Sequence, residues 1–207
     1  MKLKKAAMFG LDARIALAIF GALSVISGAA LYSAIQSAKV TNQHTTLQEI
    51  VKALEAYMVD TGSVDVSYAL DDIVVNRLNK PGWNGPYLSD YDSPLTQGIR
   101  PLQETSYNTA FYSIIYVFIK SDEDWPADQS GWGATCGTGD TCAQWLRLSA
   151  ANNDKDRADM DVFFNAIDKA YDNGDGPVKG QYRLLKPSGV GAGAYYFYVK
   201  ATVAPNN

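Results

Sequence analysis

The sequence predicts an α+β protein in which a long amino-terminal helix precedes a small antiparallel β-sheet. Three observations predict it. Residues Ile15 to Ala38 carry no charge, a run of 24. Helical periodicity then continues without a proline to Thr61, where Gly62 supplies a stop. Beyond that point, β-prone segments at 109–120, 143–150, 180–185 and 194–203 are set apart by polar and glycine-rich turns.

The first segment has the length of a membrane span. At 1.5 Å per residue, the uncharged run makes about 36 Å of helix, against a hydrocarbon core of ~30 Å. Lys2, Lys4 and Lys5 lie before it, which places the amino terminus in the cytoplasm and the remainder outside. Ser27-Gly28-Ala29 would serve as a signal-peptidase site, and a permanent signal anchor is a further alternative. Asp12 and Arg14 stand at the mouth of the apolar run, where a secretory signal normally passes straight from its basic region to its apolar core. Val40, Leu47, Ile50, Val51, Leu54 and Tyr57 then recur at helical spacing among Gln48, Glu49, Lys52 and Glu55. A cleaved signal has no reason to run on into an amphipathic helix.

The remainder reads as a head. Leu70 to Leu78 fits a short helix with Asp71 and Asp72 near its amino end. Lys80 to Leu88 is a structured loop with Pro-Gly and Gly-Pro pairs, and its Trp83 and Tyr87 are expected to plug against the long helix. A polar loop over 121–142 holds Cys136 and Cys142. Two cysteines with no histidine nearby do not make a four-ligand zinc site. A local disulfide in an oxidising compartment is expected, with two free thiols as the alternative. Met160, Phe163, Phe164, Ile167 and Tyr171 mark one face of a second amphipathic helix, capped by Asn153 or Asp154 and stopped near Gly174. The last two strands are joined by the glycine-rich turn Ser188 to Gly193.

Functional chemistry is sparse. With 18 basic and 22 acidic residues the formal charge is −4, so nucleic acid is not an expected partner. No phosphate loop, dinucleotide fingerprint or nucleophile elbow occurs. The sole histidine, His44, is expected to be solvated or at a subunit contact. No enzyme activity and no cofactor are expected. Calcium was the one metal to weigh. Asn152-x-Asp154-x-Asp156 has Arg157 and Phe163 where an EF-hand needs glycine and glutamate. Asp172-Asn173-Gly174-Asp175 is the better acidic turn, and its plainer reading is a helix end.

Two segments carry a family resemblance. Met-Lys-Leu-Lys-Lys-Ala-Ala-Met-Phe-Gly, followed by Leu11 and the apolar helix, resembles a prepilin. Ala53-Leu-Glu-Ala-Tyr-Met-Val-Asp-Thr-Gly62 and Trp83-Asn-Gly-Pro-Tyr-Leu88 resemble segments of the major pseudopilins of type II secretion. The likeness to the type IV pilin-like family covers roughly residues 10–90. It implies a pilin-like fold made of a leader (1–10), a long helix (11–62) and a globular head (63–207). It also implies cleavage between Gly10 and Leu11 by a prepilin peptidase, which removes three lysines and takes the formal charge from −4 to −7. The mature chain would leave the inner membrane with the help of assembly-platform proteins and enter a homo-oligomeric helical filament, periplasmic or extracellular. Small residues such as Ala18, Ala22, Ser24 and Gly28 would let neighbouring helices approach, and Gly21 and Gly28 would permit local melting.

Two positions depart from the family pattern. Leu11 stands where Phe or Met is usual, and Ile15 where a glutamate normally neutralises a neighbouring subunit's terminal amine. Asp12 is the carboxylate placed to substitute, alone or paired with Arg14 between subunits. Trp83, Gly85, Pro86 and Tyr87 are expected to act structurally. Some major pseudopilins hold calcium in a carboxyl-terminal loop that this chain does not match residue by residue, so no ligand carries over. The alternative function is a permanently anchored binding module that uses the 121–142 loop.

Overall fold

A computed structural model describes residues 4–62, 72–76, 78–88, 112–126, 135–150, 154–187 and 195–203. It has one long helix, α1 (Lys4–Thr61), then β1 (Tyr112–Ser121), β2 (Cys142–Ala150), α2 (Asp154–Tyr171), β3 (Tyr182–Leu185) and β4 (Tyr196–Val203). The expected class, α+β with a long apolar amino-terminal helix and a small antiparallel sheet, is what the chain forms.

α1 begins at Lys4, ahead of the expected Leu11. Ala6, Ala7 and Met8 favour helix, and no proline intervenes. It ends as expected, because Gly62 takes φ +69° and donates its N–H to Met58 O at 2.8 Å. The chain divides into two compact units, Met1–Asn42 and Gln43–Asn207, and the division falls inside α1. In the first unit, residues 12–39 are exposed throughout.

In the second unit the carboxyl-terminal part of α1 belongs to the core. Leu47, Ile50, Val51, Leu54 and Tyr57 are buried, whereas Glu49 and Lys52 are exposed. These positions follow the 3.6-residue period, so one helical stripe meets the interior. The four strands are antiparallel in the order β1-β2-β4-β3, which places β4 between β2 and β3.

Alternation along the strands sorts the side chains onto two faces. Leu146, Leu148, Tyr182, Leu184, Phe197 and Val199 line the helix side. There Gln48 of α1 donates to Tyr182 Oη at 2.9 Å, and Phe163 of α2 meets Phe197 edge-on with ring centroids 5.4 Å apart.

The opposite face is also buried. Trp125, from the segment after β1, closes over Trp145 and Tyr198 with centroids 5.2 and 5.0 Å away, and Leu185 and Ala143 complete the cluster. Trp125 is held there by its Nε1–H to Ser121 O at 2.9 Å and its backbone N–H to Val178 O at 2.9 Å.

Two expectations need correction. Asp72 is helical, but residues 73–75 form a turn and bend, so the helix expected over Leu70–Leu78 stops short of Leu78; Leu70, Asp71 and Arg77 lie outside the described residues. α2 ends at Tyr171, near Gly174 as expected, because Asn173 and Gly174 take left-handed φ of 64° and 67° and fold the chain back onto Asp168 O. Tyr171 itself is not in the core but lies against His44 at the surface. The expected turn at 188–193 and the cap Asn153 lie outside the described residues.

Candidate functional site

The amino-terminal half of α1 is the first candidate. Leu17 and Phe20 are 70% and 71% exposed, and Ile15, Leu23, Val25, Ile26 and Leu31 are exposed too. Among the described residues, α1 is one helix long and apolar enough to cross a membrane. Among the described residues nothing lies within 4 Å of where a Cβ would sit on Gly10, Gly21 or Gly28. Asp12 and Arg14 are exposed. Leu11 is helical, with its side chain outside the described residues.

The second candidate is the loop after residue 80, which docks on the last turns of α1. The edge of the Tyr87 ring meets Tyr57 at 5.8 Å between centroids, and Trp83 meets Tyr87 at 5.8 Å in the same manner. Tyr87 Oη donates to Asp60 Oδ2 at 2.9 Å and accepts the Asn84 N–H at 2.9 Å. Trp83 Nε1–H donates to Asp72 O at 2.6 Å. Two glycines make the fit possible. A Cβ on Gly82, which has φ +84°, would stand 2.2 Å from Asp60 O; one on Gly85 would stand 2.6 Å from the Trp83 ring. The Gly85–Pro86 peptide is cis. These polar contacts join the loop to α1, to the 72–73 segment and to itself, so the geometry fixes a surface.

Cys136 and Cys142 are joined in a disulfide, with Cα atoms 5.8 Å apart. Cys142 opens β2, and Thr135 bridges to Lys120 of β1, so the bond ties the loop to the β1–β2 hairpin. Gly137 N–H to Asp140 Oδ2 at 2.8 Å closes the small ring from inside. So short a loop gives about 2 kcal/mol in the chain-entropy account, enough to pin a loop but not to hold a fold.

His44 is not solvated as expected. It is half-buried and stacked on Tyr171, with centroids 3.7 Å apart and planes within 7°. Asp154 is exposed and pairs with Arg157, Asn152 lies outside the described residues, and nothing is described of the Asp156 side chain.

Sequence reasoning missed three groups. Asp72, expected near the amino end of a short helix, is fully buried and accepts hydrogen bonds from Tyr57 Oη and the Leu78 N–H, at 2.8 and 2.9 Å. Arg183 is 2% exposed, with its guanidinium 4.8 Å from the Trp125 ring and 4.4 Å from Trp145. It donates to Glu123 O, Asp122 O and Gly180 O at 2.8, 3.0 and 3.3 Å. Asp168 is buried at the end of α2. The one available signal was alternation: Arg183, between apolar Tyr182 and Leu184, had to face the other side of the sheet.

The fold and these sites define a class: a chain with one membrane-competent helix among the described residues and a disulfide-clipped α+β head. No protein-family model matches the sequence, and no curated protein or solved structure matches the chain.

Proposed function

We propose that this chain is a structural subunit of a type IV pilus-like or type II secretion pseudopilus filament, processed after Gly10 and assembled through α1. The observation that carries the reading is the division of α1. Its amino-terminal half is apolar from Ile15 to Ala38 and exposed among the described residues, while its carboxyl-terminal half is amphipathic and part of the head core. Such a helix suits a subunit that first sits in the bilayer and then packs against copies of itself. Gly21 and Gly28 support close approach between copies, since nothing among the described residues lies within 4 Å of their Cβ positions. The Trp83–Leu88 loop supports the pilin-like fold by bracing the helix against the head. In this reading the head lies outside the cytoplasm, where the disulfide is stable.

A second reading, a permanent anchor carrying a periplasmic binding module, draws on α1 running unbroken through Gly10. Intact mass and amino-terminal sequencing of the protein from its native envelope separate the two. A terminus at Leu11 supports processing and assembly, and a retained Met1 supports the anchor. Gly10→Leu should block both cleavage and filament formation, and normal filaments from that variant would overturn the proposal.

A further inference from the structure

Three carboxylates converge where α2 ends. Asp168 and Asp172 are four residues apart, hence on one face of the helix end, and the reversal at Asn173 and Gly174 brings Asp175 back beside them. One oxygen from each lies within 4.8 Å of the other two. Asp168 and Asp172 are only 6% and 5% exposed, while Asp175 is open to solvent. Asp172 Oδ2 accepts the Tyr182 N–H at 2.8 Å, and Asp168 Oδ2 accepts the Gly176 N–H at 3.3 Å. Asp168 Oδ1 is buried and accepts no hydrogen bond. Among the described residues no ion pair reaches any of the three.

A helix end does not require this arrangement. Capping is already done by backbone groups, since the Asp172 and Gly174 N–H groups both return to Asp168 O. Three acids at such separations repel, and a buried carboxylate oxygen without a donor is costly. A cation bound among them removes the repulsion and gives the orphaned oxygen its partner.

We infer that Asp168, Asp172 and Asp175 form a calcium site. All the donors are hard carboxylate oxygens, which suits calcium or magnesium and not a softer metal. A set of three protein carboxylates suits calcium, which takes six to eight oxygens in flexible geometry, better than magnesium, which holds to a near-ideal octahedron and is usually bound through one or two carboxylates. The exposed side at Asp175 leaves the remaining coordination positions to water. Because Asp172 also holds the first residue of β3, an ion here braces the end of α2 against the sheet. The inference is independent of the filament reading.

The test is thermal unfolding of the full-length chain in detergent, stripped with chelator and then measured in CaCl2, MgCl2 or NaCl at equal ionic strength. For a site of roughly 10−4 M affinity, about 10 mM calcium should raise Tm by roughly 5–10 °C. Magnesium should raise it much less. Asp168→Asn should abolish the shift. If that buried variant does not fold, Asp175→Asn decides: its side chain is exposed, and it should need at least about tenfold more calcium for the same shift. An equal Tm in all three salts, an equal shift with magnesium, or a full calcium response in Asp175→Asn would overturn the assignment.

Discussion

The hydroxyl of Tyr57, near the end of α1, donates a 2.8 Å hydrogen bond to Oδ2 of the fully buried Asp72. Asp72 also accepts the Leu78 N–H, and its carbonyl accepts from Trp83. One residue thus connects the helix, through its carboxylate, to the turn after it and, through its carbonyl, to the aromatic loop. Tyr57→Phe keeps the ring and deletes the donor, so it should cost about 1–3 kcal/mol in urea unfolding. A variant as stable as the parent would show that the bond contributes nothing net.

Gly82 and Gly62 both have positive φ but differ in their surroundings. Gly62→Ala meets open space and should cost ~1–2 kcal/mol for the left-handed backbone alone. Gly82→Ala adds a clash with Asp60 O, a backbone atom that cannot rotate away. It should therefore cost clearly more, roughly 3 kcal/mol or above. Parallel denaturation of the two variants measures the difference.

Arg183 is held by stacking and by directional hydrogen bonds together. A lysine keeps the charge but loses the flat guanidinium against Trp125 and Trp145 and the fork that reaches separate carbonyls. Arg183→Lys should destabilise the chain by about 2–4 kcal/mol and raise Trp fluorescence quenching by acrylamide, as Trp125 loosens. Unchanged quenching would mean that the tryptophans hold each other without the arginine.

Burial pushes the Tyr182 and Tyr198 hydroxyls up to about 12. Between pH 10 and 12 the unfolded chain releases these protons while the folded chain keeps them. Their contribution to stability is therefore whole below pH 10 and is lost as the pH rises through the folded value. Alkaline titration followed by tyrosinate absorbance should show Tyr182 and Tyr198 among the groups that ionise only with unfolding, and Tyr198→Phe should reduce that set by one. Smooth titration of every tyrosine near pH 10 would contradict the burial.

Much of the architecture was legible because it is local. The uncharged run from Ile15 to Ala38 and the periodic residues from Leu47 to Tyr57 encode a helix and its changing solvent along a single stretch of chain. Gly62 ends it by a property of its own backbone. Strands and turns were legible for the same reason, and so was the pairing of two cysteines only six residues apart.

The sequence by itself thus determined the long helix and where it stops, the second helix and the strand segments, and that half of α1 is long and apolar enough to cross a membrane. Only the tertiary structure decided the order β1-β2-β4-β3, the extent of the turn after Asp72, the burial of Asp72 and Asp168, and the place of Arg183 against two tryptophans. The reason is one of range. Propensity and periodicity act over a few residues, whereas the environment of Arg183 is set by Trp125, Trp145 and the carbonyls of Asp122 and Glu123, which come from distant parts of the chain. A charge on a strand reads the same whether water or a neighbouring loop covers it, until the loop is in place.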